Sequence, residues 1–194
     1  MAELKIVGLG GSLRANSTSL GALKVALAGA ASCGAATELL DVRALDLPTY
    51  VPGMNERPAI VQQLNDTIYA ADGLIWSSPL YHGTVSGSFK NALDWLNPLG
   101  KRDPAYLTGK VVGLISTAGG TQGLQAVNTM EFVVRALRGW AVPLVLPIPR
   151  AARSFDDEGN VSDEQVEAQL LTLGREVARA AGQIAHSETC DYAD

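Results

Sequence analysis

The sequence predicts a doubly wound α/β fold, in which helices cover both faces of a five-stranded parallel sheet. Short apolar segments and helical patterns alternate along the chain, and the apolar segments lack the polar alternation of strands with one solvated face. Such strands are buried on both sides, and their alternation with helices is typical of right-handed parallel crossovers. Because 194 residues suit one hydrophobic core, we expect a single domain over residues 1–194.

The predicted strands are short apolar segments bounded by glycine, proline or polar residues. They are Leu4–Gly10, Thr37–Asp41, Leu74–Ser78, Val111–Thr117 and Val142–Ile148. Pro143, Pro147 and Pro149 flank or interrupt the fifth segment. Since proline cannot donate a hydrogen bond to a neighbouring strand, we expect this strand at an edge of the sheet. This placement favours the strand order 2-1-3-4-5.

The segments between and after the strands carry apolar residues at helical spacing. The five sets are Leu20, Leu23 and Leu27; Ile60, Leu64 and Ile68; Phe89, Ala92, Leu93 and Leu96; Val127, Met130, Val134 and Leu137; and Val166, Leu170, Leu173, Val177 and Ile184. Two longer stretches, Val42–Glu56 and Arg150–Ser162, lack this spacing. We predict that both are surface loops.

Composition and charge exclude several classes of partner. The net charge is −5 and no dense basic run occurs, so nucleic acid is not an expected partner. No apolar run approaches the roughly 20 residues that span a bilayer, and the amino end lacks a secretory pattern, so we expect no membrane partner. Cys33 and Cys190 lie far apart and suggest neither a zinc site nor a disulfide framework. We therefore expect a cytoplasmic protein without a bound metal.

The loop after the first strand carries the parts of a phosphate site. Ligands of open α/β sheets bind beyond the carboxyl ends of the strands, where the strand order reverses. Here two glycines are followed by the predicted start of a helix, and the loop supplies one guanidinium and several hydroxyl groups. These groups belong to Ser12, Arg14, Ser17, Thr18 and Ser19. Free N–H groups at a helix start and an arginine both favour phosphate. Helix capping alone is the alternative explanation for Ser17, Thr18 and Ser19.

Two common nucleotide-binding motifs do not fit this loop. A Walker A loop requires GxxxxGK[ST], but Val111 follows the Gly109-Lys110 pair, just before a predicted strand. The dinucleotide pattern GxGxxG begins at Gly8, but Leu13 stands where its third glycine is needed. The sequence therefore indicates a phosphate site of another type.

The loops after the third and fourth strands suit a planar heterocycle. The first contains Pro79, Leu80, Tyr81, His82 and Gly83, and the second contains Ser116, Thr117, Ala118, Gly119 and Gly120. An aromatic face, backbone hydrogen bonds and N–H groups near negative charge are ways to hold such a ring. Alternatively, Tyr81 packs on its own loop, His82 bonds a carbonyl group, and the glycines form a tight turn.

Several motifs together resemble the NAD(P)H-dependent FMN reductase family of flavodoxin-like proteins. They are Gly11–Ser17, Ser78–Tyr81, Lys90–Trp95 and Ser116–Gly120, and the resemblance runs from Leu4 to about Pro149. It implies a flavodoxin-like fold and bound FMN. The phosphate would be held around Ser12, Arg14, Ser17, Thr18 and Ser19. The ring would be held by Pro79, Leu80, Tyr81, His82 and Gly83 and closed by Ser116, Thr117, Ala118, Gly119 and Gly120.

The resemblance also implies an activity. NADH or NADPH would reduce the flavin, which would pass electrons to a small acceptor such as a free flavin or a quinone. Because the flavin carries this chemistry, no side chain is predicted to be catalytic, with His82 as the candidate for proton transfer. Many family members have Asn at the position of His82. The family further implies a homodimer or homotetramer.

Two other functions are compatible with the same fold. One is a flavodoxin-type carrier of single electrons, which has no nicotinamide pocket. Such carriers usually have an uncharged phosphate loop and a strongly acidic face, so Arg14 and the modest net charge favour the reductase. The other is a nucleotide-binding regulatory domain of doubly wound fold.

Overall fold

The structure, a computed structural model, describes residues 3–54 and 58–185. The end of the predicted loop at Glu56 and the residue Cys190 lie outside these ranges. The strands are β1 (Lys5–Gly10), β2 (Ala36–Asp41), β3 (Gly73–Tyr81), β4 (Thr84–Val85), β5 (Val111–Thr117) and β6 (Trp140–Ile148). The helices are α1 (Thr18–Ala31), α2 (Val42–Leu45), α3 (Ala59–Tyr69), α4 (Gly87–Asp94), α5 (Leu124–Ala136) and α6 (Glu164–Ala185).

The sheet confirms the predicted strand order. Its path is β2-β1-β3-β5-β6 with all neighbours parallel, and this is the predicted order 2-1-3-4-5 because β5 and β6 are the fourth and fifth predicted strands. The strand β6 lies at the edge, as its prolines indicate. Its pairing with β5 shifts register between Val112 and Leu114, opposite the segment that contains Pro143. The missing N–H of Pro143 accounts for this irregularity.

Two apolar cores lie on the two faces of the sheet. One face packs against α3, α4 and α5, and the other packs against α1 and α6. The contact between α1 and α6 is close, because a Cβ atom on Gly174 would lie 1.8 Å from the carbonyl oxygen of Ala26. The sheet is thus covered on both faces, and its loops are left at the two ends of the strands. None of the described helices is both long and apolar enough to cross a membrane.

The structure corrects the predicted end of the third strand and adds short elements to the two predicted loops. The strand β3 continues to Tyr81, so Pro79, Leu80 and Tyr81 belong to a strand rather than to a loop. It continues because Leu80 and Tyr81 pair with the short antiparallel strand β4, which the sequence analysis did not predict. The predicted loop after β2 begins with the helix α2, where the Asp41 carboxylate accepts a hydrogen bond from the Arg43 N–H at 3.0 Å. The predicted loop after β6 contains a 3₁₀ turn over Ala151–Arg153.

Candidate functional site

A cavity of about 320 Å³ lies at the carboxyl ends of β1, β3 and β5. Its volume is at the lower end of the roughly 300–1,000 Å³ that is usual for ligand pockets. The lining residues are Ser12, Arg14, Asn16, Ser17, Thr18, Ser19, Pro79, Leu80, Tyr81, Thr117, Ala118, Gly119, Ala151, Ala152, Phe155, Asp156 and Asp157. The structure therefore brings together residues of all three predicted loops. Four predicted site residues do not line the cavity: His82, Gly83, Ser116 and Gly120.

Three larger depressions lie elsewhere, with volumes of about 710, 500 and 340 Å³, and the third is bordered by Val51 and Pro98. The first lies near the carboxyl ends of α1 and α6, and the second lies between α4 and the segment after β2. Of their lining residues, only Leu13 of the second belongs to a glycine-rich turn that leads into a long helix. The smaller cavity has two such turns and lies where strand order reverses, which is the usual ligand position in this class of sheet. Position and chemistry therefore identify it as the candidate site.

The loop between β1 and α1 is shaped by close backbone packing. A Cβ atom on Gly10 would lie 2.1 Å from the carbonyl oxygen of Ser77, so only glycine allows β1 to pass β3 at this point. Gly11 has a φ of 95°, in the left-handed region that favours glycine. Together they turn the chain sharply from the strand toward the start of α1.

Serine hydroxyls hold this loop from the inside. The Ser12 hydroxyl donates to Ser17 Oγ at 3.0 Å, and the hydroxyls of Ser17 and Ser19 share a second bond at 3.0 Å. Ser17 Oγ also accepts from the Leu20 N–H at 3.3 Å, as a helix N-cap does. The capping interpretation is thus correct for Ser17. These serines are buried, and their bonds fix the loop before any ligand is bound.

Arg14 differs from these serines because its side chain is exposed. Its backbone N–H donates to Ser12 Oγ at 3.3 Å. Within residues 3–54 and 58–185, its guanidinium forms no hydrogen bond and no ion pair. It lies at the cavity near the start of α1, where first-turn N–H groups have no intrahelical partner and the helix dipole is positive. This arrangement suits a phosphate group.

The hairpin of β3 and β4 forms one wall of the site. His82 and Gly83 form its two-residue turn, with φ angles of 49° and 85°. Positive φ at both central positions is the geometry of a type I′ hairpin turn, in which Asn-Gly is favoured. The hairpin places Tyr81 at the cavity with 45 % of its surface exposed, whereas His82 points to solvent beyond the lining. The Tyr81 ring is thus available to a ligand.

The turn after β5 forms the opposite wall. The Thr18 hydroxyl donates to Thr117 Oγ1 at 3.2 Å, which joins this wall to the first loop. A Cβ atom on Gly119 or Gly120 would meet nothing within 4 Å, so open space borders the backbone there. Ser116 is buried inside β5, and its hydroxyl has no hydrogen-bond partner among the described residues. It alternates with Thr117 along the strand and therefore faces the other side of the sheet.

The segment between β6 and α6 closes the cavity, and the sequence analysis missed its contribution. The N–H groups of Arg150 and Ala151 donate to the carbonyl oxygens of Gly120 and Ala118, at 2.8 and 2.9 Å. Near the middle of the segment, the Asn16 amide donates to the carbonyl oxygen of Asp157 at 2.8 Å. One signal could have identified this segment, because it too follows the carboxyl end of a strand.

One carboxylate of this segment has a perturbed pKa. The backbone N–H of Asn160 donates to Asp156 at 2.7 Å and its side-chain amide donates at 3.1 Å. These bonds, together with N–H groups of neighbouring residues, hold the pKa of Asp156 below its usual value. Asp156 therefore remains an anion that stabilises its own turn.

The residues at the cavity fit a flat molecule with a terminal phosphate. At one end, an unpaired guanidinium and a helix start meet the requirements of the phosphate. At the other end, Tyr81 and the open backbone of Gly119 leave room for a planar ring. FMN has both parts.

Comparison with known proteins relates the chain to flavin-dependent enzymes. The NADPH-dependent FMN reductase ArsH of Acidithiobacillus ferrooxidans is 31 % identical over 153 residues, which cover 73 % of this chain and 63 % of that protein. The FMN-dependent NADPH-azoreductase of Staphylococcus aureus is 34 % identical over 131 residues, which cover 66 % of each. The chain therefore spans about two thirds of the length of these relatives.

A solved structure supports the fold. The flavoenzyme NAD(P)H:(acceptor) oxidoreductase FerB of Paracoccus denitrificans superposes with a TM-score of 0.74 and 23 % sequence identity, over 93 % of this chain and 98 % of that one. The sequence model described as NADPH-dependent FMN reductase matches residues 4–153, which include β1 through the 3₁₀ turn after β6. The chain belongs to the NADPH-dependent FMN reductase family.

Proposed function

We propose that the protein is an FMN-dependent oxidoreductase that takes electrons from a nicotinamide nucleotide and passes them to a small acceptor. The observation that carries this proposal is the unpaired guanidinium of Arg14 beside the start of α1. Both features favour an anion at the same place. Family membership and the names of the relatives support FMN as that anion and NADPH or NADH as its reductant.

The residues have separate roles in this proposal. Arg14 and the first-turn N–H groups of α1 would hold the phosphate, and Thr18 and Thr117 would border the chain that joins phosphate and ring. Tyr81 and the Gly119–Gly120 backbone would hold the ring, the backbone through N–H groups directed at ring oxygens. When bound, FMN supplies the redox chemistry, accepting a hydride from a nicotinamide and returning two electrons to the acceptor.

His82 has a structural role in this proposal. Its imidazole lies outside the cavity lining and forms no hydrogen bond with any residue of the described ranges. Its backbone occupies the first central position of the hairpin turn, where the Asn of related proteins is favoured for its conformation. We therefore assign it the orientation of Tyr81 rather than proton transfer.

The acceptor is proposed to be a free flavin, a quinone or a similar small molecule. We propose further that residues 1–194 form a single domain, since both apolar cores share one sheet. A homodimer or homotetramer is supported by two large exposed apolar side chains, Phe132 at 67 % and Trp140 at 65 %. A cytoplasmic location agrees with the free, exposed thiol of Cys33.

Titration of the purified apoprotein with flavins tests the cofactor. FMN should bind more tightly than riboflavin, because riboflavin has no phosphate for Arg14 and the start of α1. Isothermal titration calorimetry measures both affinities. Equal affinities would show that no phosphate site exists at this loop.

Kinetics of the FMN-loaded protein distinguish a reductase from a carrier. A reductase should oxidise NADPH or NADH without a partner protein and should show ping-pong kinetics with a quinone, because both substrates use one pocket in turn. A flavodoxin-type carrier would oxidise nicotinamide only with an added partner reductase. That second result would contradict the enzyme assignment and would leave the FMN site unaffected.

A further inference from the structure

Two arginines outside the proposed flavin contacts lie at the rim of the same site. Arg150 and Arg153 flank Ala151 and Ala152, which line the cavity directly. Both side chains are exposed. In the part of the chain that the structure describes, neither guanidinium has a salt-bridge partner, although the net charge of the protein is −5. Two unpaired cations at one rim of the site favour the binding of an anion there, even though the protein as a whole is acidic.

The backbone of this pair is fixed relative to the ring end of the site. The Arg150 N–H donates to the Gly120 carbonyl oxygen at 2.8 Å, and the Arg153 N–H donates to the Arg150 carbonyl oxygen at 2.9 Å. Arg150 also has a φ of 49° and a ψ of 48°, a left-handed conformation that is uncommon for a residue other than glycine. Such a conformation persists where the surroundings impose it, and it clusters at ligand sites.

The phosphate of FMN does not need these arginines. That phosphate already has Arg14 and the start of α1, on the side of the cavity where Asn16 is joined to Asp157. Arg150 is joined instead to Gly120, beside the open backbone where the ring would lie. A dinucleotide whose nicotinamide stacks on the ring extends its adenosine end out of the cavity, and the segment that carries Arg150 and Arg153 borders that cavity through Ala151 and Ala152.

We infer that Arg150 and Arg153 bind the 2′-phosphate of NADPH and give this protein its preference for NADPH over NADH. The inference rests on the proposed function, because it assumes that a nicotinamide nucleotide stacks at the ring end of the site. NADPH and NADH differ by this phosphate alone. Guanidinium groups suit it because they form charge-assisted, bidentate hydrogen bonds with phosphate oxygens.

The nearest carboxylates do not cancel this charge. Asp156 accepts hydrogen bonds from the N–H groups of Glu158 and Asn160, so its carboxylate is engaged in its own turn. Asp157 lies at the Asn16 end of the segment, away from the contact between Arg150 and Gly120. The two arginines thus lie in the first part of the segment that closes the cavity, next to Gly120, and the two carboxylates lie farther along it.

Steady-state kinetics of the FMN-loaded protein test the inference through Arg150→Gln and Arg153→Gln. Each change should raise KM for NADPH about 5- to 10-fold with little change in kcat, the size expected for one exposed charge-assisted bond. KM for NADH should change less than about twofold. The variant Arg150→Lys should recover part of the NADPH affinity, because it keeps the charge and loses the bidentate geometry.

Arg138→Gln is the matched control. Arg138 is exposed, has a φ of 64°, and lies just before β6, at the opposite end of the strand from Arg150. The variant Arg138→Gln removes one positive charge from a residue with a similar left-handed backbone conformation. Because this residue lies at the other end of β6, the variant should leave both KM values unchanged. Equal losses for NADPH and NADH in the rim variants, or an equal loss in Arg138→Gln, would overturn the assignment to the 2′-phosphate.

Binding of adenosine 2′,5′-bisphosphate separates this inference from the proposed function. Isothermal titration of the FMN-loaded protein should show that this probe binds more tightly than 5′-AMP and that Arg150→Gln removes most of the difference. This result would support the rim site even if no nicotinamide oxidation were detected. The absence of oxidation would contradict only the proposed activity. Equal binding of the two nucleotides to the wild-type protein would overturn the rim site whatever the activity.

Discussion

Replacing Arg14 with Ala tests the proposed phosphate site most directly. The side chain has no hydrogen bond or ion pair to any described residue, so its removal takes no contact from the folded protein. We therefore expect the free energy of unfolding of the apoprotein to change by less than about 0.5 kcal/mol. An effect on ligand binding can then be assigned to the ligand.

The expected size follows from the exposure of the guanidinium. A hydrogen bond to a charged group contributes about 1.5–3 kcal/mol, and solvent at an exposed site reduces that value. Arg14 is exposed, so we expect a loss near the lower limit, about 1.5–2 kcal/mol. This corresponds to a dissociation constant for FMN that is about 10- to 30-fold higher, at about 1.4 kcal/mol for each factor of ten.

Calorimetric titration of wild type and Arg14→Ala with FMN and with riboflavin gives the decisive comparison. Riboflavin affinity should stay within about twofold of wild type, since riboflavin offers Arg14 no phosphate. The control Lys24→Ala removes one exposed charge from α1 and should change neither affinity. If both flavins lose affinity together in Arg14→Ala, Arg14 supports the loop rather than the phosphate, and the reasoning fails.

Three further changes test other parts of the structure. Gly119→Ala should leave the stability of the apoprotein unchanged, because the new Cβ meets no atom within 4 Å. It should weaken FMN binding by about 1–3 kcal/mol, because the added methyl group overpacks the ring. An unchanged FMN affinity in calorimetric titration would refute the proposed position of the ring. His82→Asn should raise the free energy of unfolding in urea by up to about 1 kcal/mol and keep most turnover, whereas a roughly 100-fold lower kcat would indicate proton transfer by His82. Burial lowers the pKa of Lys110, and nearby Asp72 partly opposes this. Between that lowered pKa and the usual 10.5, the unfolded chain binds more protons than the folded protein, so the stability of wild type should rise with pH relative to that of Lys110→Met. Urea unfolding of both proteins at several pH values measures this difference in free energy of unfolding. A difference that falls as pH rises would contradict the lowered pKa.

The strand order and the two cores could be predicted because they depend on local patterns. Continuous apolar segments predicted strands buried on both faces, and the prolines near Val142 predicted an edge strand. Both are properties of neighbouring residues, and the sheet confirms them. The loop after β1 could be predicted for the same reason, since its glycines, hydroxyls and Arg14 are contiguous.

The hairpin of β3 and β4 was missed because its residues do not show the usual signals. Pro79 suggested the end of a strand, yet Pro79 pairs in register with Thr117 inside the sheet. The turn residues His82 and Gly83 lack the Asn or Asp that normally marks a two-residue hairpin turn. Without that mark, the two-residue strand β4 gives too short a pattern to recognise.

The segment that closes the cavity could not be predicted from local patterns at all. Asn16 and Asp157 meet across 141 positions of sequence, and the contact of Arg150 with Gly120 also joins separate loops. Such contacts depend on how α6 and β6 place the segment against α1. Only the general rule that ligands bind beyond the carboxyl ends of strands indicated that this region was relevant.

The two ends of the candidate site differ in how far the protein fixes them before a ligand binds. At the phosphate end, serine hydroxyls bond each other, and Asn16 ties the loop to the Asp157 segment, so little ordering remains to oppose binding. At the ring end, Tyr81 is half exposed and open space borders Gly119. Affinity for the cofactor should therefore come mostly from the phosphate end, while the ring keeps one face free for a second substrate. This division explains why Arg14 should affect FMN but not riboflavin, and why the rim arginines should affect the nicotinamide nucleotide but not the cofactor.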